Sequence, residues 1–185
     1  GNLGISSMGF RKLGFINKIY LFEPNKYLFK NFIKKLVKNY NNIHAFNFAL
    51  GEKNQIKNFY YPYYKNICLH YFFIFNKNYI KNSLRITFKK KKFKIINKPV
   101  SIMKFDEMKI NHKPKFIKID VEGYDFEVLK GMEKTIKKNK PIILVEFNKN
   151  NFFKIKKFLK EYKAWVFFYQ KNEFKIFNKN IIDRE

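Results

Sequence analysis

Apolar residues along this chain fall into short unbroken runs that alternate with stretches spaced for a helix, and turn formers separate most of them. Gly1 to Ser7 is a small-residue turn leading into a helix that ends near Gly14. Lys18 to Phe22 reads as a short buried strand, closed by Glu23-Pro24-Asn25. Leu28, Phe29, Phe32, Ile33 and Leu36 then give a helix from about Lys26 to Asn39 its apolar face. Ile43 to Leu50 alternates as a strand, and Gly51-Glu52 closes it. Beyond the middle of the chain, Lys98 to Met103 reads as a strand and Asp106-Glu107 opens a brief helical segment. Lys115 to Ile119 is extended, and Tyr124, Val128, Leu129, Met132 and Ile136 recur at helical spacing. Gly131 costs that helix stability, which points to close packing or a bend. Ile142 to Val145 is a continuous apolar run of the kind found in strands covered on both faces. Phe152 to Tyr162 is a basic amphipathic helix, and Trp165 to Tyr169 with Phe174 to Phe177 predicts an antiparallel pair turning near Asn172. Strands alternating with helices predict a doubly wound α/β sheet in one domain.

Residues 53–98 interrupt this alternation. They hold Tyr60-Tyr61-Pro62-Tyr63-Tyr64, the aromatic group Tyr71-Phe72-Phe73 and the run Lys89-Lys90-Lys91-Lys92, and read as extra strands with a helix or loop inserted between sheet strands. Aromatics beside lysines can stack bases and grip phosphate; core aromatics with a solvated hairpin tip is the plainer account.

Chemistry concentrates where apolar runs stop. The run Phe116 to Ile119 ends in Asp120 and Glu122 just before a helical pattern, and the run at 142–145 ends in Glu146. Ligands of parallel α/β proteins collect outside the carboxyl ends of the strands, so these acids are candidates to hold a ligand or take a proton. Asp120 as a helix cap is the competing account. Glu23 lies about 20 residues beyond the glycine turn, the offset at which nucleotide folds place a carboxylate for ribose hydroxyls. An exposed strand-end acid is the alternative there. A divalent metal shared by Asp120, Glu122 and Glu146 lacks a distinctive ligand pattern, and no metal is expected.

Composition adds three limits. With 20% aromatic and 46% hydrophobic residues, the chain folds despite a formal charge of +26 from 40 basic and 14 acidic residues. Such charge attracts polyanions, which keeps an RNA-binding protein as an alternative. The wealth of Lys, Asn, Ile, Phe and Tyr, all with AT-rich codons, is a compositional cause for the same charge. Cys68 is alone, which fits a reducing cytoplasm, and no apolar stretch is long enough to span a bilayer.

The motif text resembles the FkbM-type S-adenosylmethionine-dependent methyltransferases. It does so through Gly1-Asn2-Leu3-Gly4-Ile5-Ser6, Phe22-Glu23-Pro24-Asn25, Ala49-Leu50-Gly51, Ile117-Lys118-Ile119-Asp120-Val121-Glu122-Gly123 with Glu127-Val128-Leu129-Lys130-Gly131, and Pro141-Ile142-Ile143-Leu144-Val145-Glu146. The resemblance implies a Rossmann-like class I methyltransferase sheet with helices on both faces. It also implies methyl transfer from S-adenosylmethionine to a hydroxyl of a sugar, glycan or other small molecule. Gly1, Asn2 and Gly4 would pass close to the amino-acid end of the cofactor, Glu23 would accept from the ribose, and Ala49 and Leu50 would lie near adenine. Asp120 would sit by the reactive methyl as the first candidate base or orienting group, with Glu122 second and Glu146 framing the acceptor pocket. In the family a strand carrying an acid precedes the glycine turn. The sequence begins at the turn, so the expectation is a fragment lacking that first central strand, whose activity alone is doubtful; beside the RNA-binding protein, the alternatives are an RNA methyltransferase and an inactive truncated remnant of the fold.

Overall fold

A computed structural model describes residues 1–70, 73–75, 77–88, 92–110, 113–146, 149–164, 166–170 and 173–176. Tyr71, Phe72, Lys89 to Lys91, Trp165, Asn172 and Phe177, on which parts of the sequence reading fall, lie outside these residues.

The opening turn feeds α1 (Ile5–Lys12), after which β1 (Ile19–Phe22) leads to a helix in three parts: α2 (Lys26–Leu28), a π turn (Phe29–Ile33) and α3 (Lys34–Asn39). Asn25 starts it, its side-chain oxygen accepting from the main-chain N–H groups of Tyr27 and Leu28 at 3.0 and 3.4 Å. The π turn shifts the expected apolar face. Leu28, Ile33 and Leu36 are buried, whereas Phe32 is exposed, because the wider turn rotates it out of register with its neighbours. β2 (Ile43–Phe46) pairs in parallel with β1, Ile19 opposite Ile43 and Phe22 opposite Phe46.

The strand expected over Ile43 to Leu50 is two strands. Asn47 breaks it by donating to the carbonyls of Glu23 and Pro24 at 2.8 and 3.4 Å, and β3 (Ala49–Leu50) continues in a different sheet. That sheet is the insert: β4 (Gln55–Tyr64), β5 (Ile67–Cys68) and β6 (Lys94–Met103), with α4 (Lys77–Phe88) between the last two. Its order is β3-β6-β4-β5, with β3 parallel to β6 and β4 antiparallel to both β5 and β6. β6 begins at Lys94, earlier than the sequence indicates, because its first residues pair with the distal half of β4. Two apolar clusters fill the insert. Ala49, Phe59, Tyr61, Val100 and Ile102 form one, and Ile74, Ile80 and Leu84 form the other under α4.

A 3-10 turn (Phe105–Glu107) precedes β7 (Phe116–Ile119), α5 (Asp125–Gly131), α6 (Glu133–Asn139), β8 (Ile142–Val145) and α7 (Lys149–Phe158). β7 and β8 pair in parallel, Phe116 opposite Ile142 and Ile119 opposite Val145. Ile117 and Ile119 of β7 bury their side chains with Val128, Leu129, Met132, Ile136 and Ile155 of the helices, and Ile143 and Val145 pack on this cluster. The opposite face carries Phe116, Lys118, Ile142 and Leu144, and Ile142 is 71% exposed. The 142–145 run is thus covered on one face, contrary to the reading from its unbroken apolarity. β9 (Phe167–Gln170) and β10 (Glu173–Ile176) form the antiparallel pair.

The single helix expected through Tyr124 to Ile136 breaks at Met132, and Gly131 packs closely at the same place. A Cβ on Gly131 would lie 2.0 Å from the carbonyl oxygen of Gly51. The α/β character holds. Among the described residues, however, the parallel pairs β1-β2, β3-β6 and β7-β8 belong to separate sheets rather than to one continuous doubly wound sheet.

Candidate functional site

At the end of β1 the chain turns at Glu23-Pro24-Asn25 against the opening turn. Gly1 has no room for a side chain: a Cβ would come within 2.7 Å of the Glu23 Cβ and 2.8 Å of the Phe22 carbonyl oxygen. Gly4 adopts φ +79°, and a Cβ there would meet Leu36 at 2.6 Å. Asn2, at φ +50°, completes the left-handed turn. This close approach lets the main-chain N–H of Asn2 donate to Glu23 Oε2, while the N–H of Asn25 donates to Oε1 at 2.7 Å. The Gly1 amino group lies 3.7 Å from Oε2.

Glu23 is buried, 5% exposed, which removes the reading of it as an exposed strand-end acid. Burial pushes its carboxyl pKa up, and the two main-chain donors only partly oppose this.

The ends of β7 and β8 bring three acids together. Asp120, Glu122 and Glu146 each place a carboxylate oxygen within 4.8 Å of the others. The Lys118 ammonium holds Asp120 Oδ2 at 2.5 Å. All three acids are exposed, and partial desolvation followed by the fields of Asp120 and Asp125 raises the Glu122 pKa, as partial desolvation followed by Glu122 and Asp120 raises that of Glu146. Glu122 itself adopts φ +53°, an uncommon conformation for a residue with a side chain, and Gly123 follows at φ +88°.

Asp120 does not cap the helix, since α5 starts five residues later. Asp125, the first residue of α5 and 1% exposed, instead ties down the turn before the helix, its carboxylate accepting from the main-chain N–H groups of Val121 at 3.3 Å and Gly123 at 3.2 Å. Asp125 was not singled out in the sequence, although an acid at the start of a helical pattern was the available signal. Asn151 of α7 donates to the Gly123 carbonyl at 3.0 Å and steadies the same turn.

A cavity of about 390 Å³ opens beside Glu122, walled by Lys57, Tyr60, Phe75, Tyr124 and Glu127. The Phe75 and Tyr124 rings lie 4.3 Å apart, and the Lys57 ammonium sits 5.0 and 4.8 Å from their centres. The insert therefore supplies one wall and the β7-α5 junction the other, a juxtaposition that no sequence spacing signals.

Ala49 and Leu50 turn their side chains into two apolar clusters, Ala49 beside Tyr61 and Leu50 beside the β7 helices. Ala49 is buried and Leu50 half-buried, so they offer a ligand part of the Leu50 side chain and main chain rather than polar side-chain atoms.

The family model described as the methyltransferase FkbM domain matches residues 6–176. No curated protein matches the chain. The crystal structure of methyltransferase FkbM from Methylobacillus flagellatus KT is similar with a TM-score of 0.51 and 16% sequence identity, a likeness of fold. The match covers 78% of this chain and 30% of that one, so the chain spans under a third of that protein's length.

Proposed function

This chain belongs to the methyltransferase FkbM domain family, and from that premise we propose that it transfers the methyl group of S-adenosylmethionine to a hydroxyl of a sugar, glycan or other small molecule. One observation carries the reading. Carboxylates follow three parallel strands at their carboxyl ends, Glu23 after β1, Asp120 after β7 and Glu146 after β8, where open α/β folds receive ligands. On this reading the whole chain is one Rossmann-like class I methyltransferase domain.

The residues present fit the cofactor. Gly1 and Gly4 let the turn pack directly against Glu23 and Leu36, which sets the main chain of the turn, Asn2 included, beside the Glu23 carboxylate for the amino-acid end of the cofactor. The two Glu23 oxygens have about four acceptor positions. Main-chain N–H groups engage each oxygen once, which leaves capacity for a pair of ribose hydroxyls. Ala49 and Leu50 suit an apolar base. When bound, S-adenosylmethionine supplies an electrophilic methyl group.

The protein must then align the acceptor and take its proton. Asp120, engaged by Lys118, suits orientation of the acceptor hydroxyl. Glu122, with its raised pKa, suits the role of proton acceptor, and Glu146 frames the same space. The cavity beside Glu122 has a volume in the range of small-molecule sites.

Calorimetric titration of S-adenosylhomocysteine into the chain, with labelled methyl transfer to a panel of sugars and small hydroxylated molecules, tests this. Glu23→Ala is expected to lose binding, and Asp120→Ala to keep binding but lose transfer. Unchanged affinity in Glu23→Ala would sink the assignment.

A further inference from the structure

Asn25 is 1% exposed and sits at the centre of a chain of contacts that the mechanism above does not use. Its Oδ1 accepts from two helix N–H groups, so its Nδ2 is fixed as a donor. That nitrogen lies 3.3 Å from His70 Nδ1 and also donates to the His70 carbonyl at 3.4 Å. A donor facing Nδ1 requires Nδ1 to be the unprotonated nitrogen, so His70 is the neutral imidazole with its proton on Nε2.

The ring is held on its other sides as well. Tyr27 stacks on it at 3.9 Å and 6°, and Tyr61 meets it edge-on. Cys68 Sγ lies 3.7 Å from the same Nδ1, and the Leu69 N–H donates to the Pro62 carbonyl at 2.9 Å, tying the segment to β4. Through Asn25, whose N–H donates to Glu23 Oε1, the insert is fastened to the Glu23-Pro24-Asn25 corner.

We propose that His70 is a positioning residue for Glu23: as a neutral imidazole it fixes the Asn25 corner that presents the Glu23 carboxylate, and on protonation it releases that corner and weakens cofactor binding. This rests on the reading of Glu23 as the ribose acceptor. Protonation turns Nδ1 into a donor facing the Asn25 donor, which the contact cannot accommodate. The groups facing His70 are Asn25 and Tyr27 from the corner and α2, Tyr61 from β4, Cys68 from β5 and Lys98 from β6. Burial, and after it the Lys98 ammonium, hold the His70 pKa below the ordinary histidine value. Burial raises the Cys68 pKa, so the thiol stays protonated beside Nδ1.

The test compares S-adenosylhomocysteine affinity of the chain, His70→Asn, His70→Ala and Glu23→Ala between about pH 7.5 and pH 5.5. Asparagine places an amide oxygen where Nδ1 lies and does not titrate in this range. The parent is expected to lose severalfold in affinity on acidification, less than tenfold because a histidine held below its ordinary value is only partly protonated at about pH 5.5. His70→Asn should keep the higher affinity with only the residual pH dependence of Glu23, and His70→Ala should be weak at both pH values. Nitrogen-15 shifts of the His70 ring should report the Nε2–H tautomer without any ligand. An Nδ1–H tautomer, or a His70→Asn profile identical to the parent while Glu23→Ala has lost binding, overturns the role of His70. Parent-like binding by Glu23→Ala instead overturns the ribose assignment beneath it.

Discussion

Glu122 combines a left-handed backbone with a carboxyl whose pKa is raised by partial desolvation and neighbouring acids. A base works only when ionised, so transfer should fall as the pH drops through a value above the usual glutamate range. Glu122→Gln should remove that acidic limb and lower kcat about a hundredfold or more, read from the pH profile of transfer. The acids of this site stood out in the sequence because an apolar run stops abruptly at each. Of the partners that orient them, only the nearest along the strand did. Lys118 beside Asp120 has a strand period that sequence can show, but Asn25 beside His70, 45 residues apart, and the cavity wall from Lys57 arise only when the insert folds back.

Two contacts between elements should prove sensitive. The Gly131 Cα faces the Gly51 carbonyl with no space for a methyl group, and the obstructing atom is backbone. Gly131→Ala should therefore cost about 3 kcal/mol, measured by denaturant unfolding, although alanine favours helices. Asp106, on the 3-10 turn, accepts from the main-chain N–H groups of Lys134 and Thr135 at 2.7 and 3.0 Å and from the Thr135 hydroxyl at 2.6 Å, capping α6 from outside it. Asp106→Ala should cost about 1–2 kcal/mol in the same measurement. Hydropathy located these helices and strands to within a few residues because each has one clear apolar face. It missed the break at Met132, the split at Asn47 and the outward turn of Phe32. Each of these is decided by a contact with a distant segment or by a change in helix width, neither of which alters local periodicity.

Across the whole molecule, charge sets two expectations. A net +26 is self-repulsive, so thermal stability should rise with added salt over the range in which it screens, in a melting series. The lysines are exposed on α1, α2, α3, α6 and α7 and on β4 and β6, spread among elements rather than gathered on one. Glu23 contributes with a definite sign. Its raised pKa means that the folded chain binds the proton more tightly than the unfolded one, so its contribution to stability declines as pH rises from the ordinary glutamate range through the raised value. Glu23→Gln should then melt no lower than the parent at neutral pH, and the difference should shrink toward acid, while S-adenosylhomocysteine binding is lost. The alternating α/β order was legible from the sequence; the division into separate sheets was not, since strand pairing across long separations leaves no periodic mark. The insert has its own two apolar clusters and its own sheet, yet contributes Lys57, Tyr60 and Phe75 to the cavity beside Glu122. On the proposed function, substitutions at those wall positions are expected to change which molecules are admitted while leaving the acids on the opposite wall in place, so that selectivity and chemistry rest on separate parts of the chain.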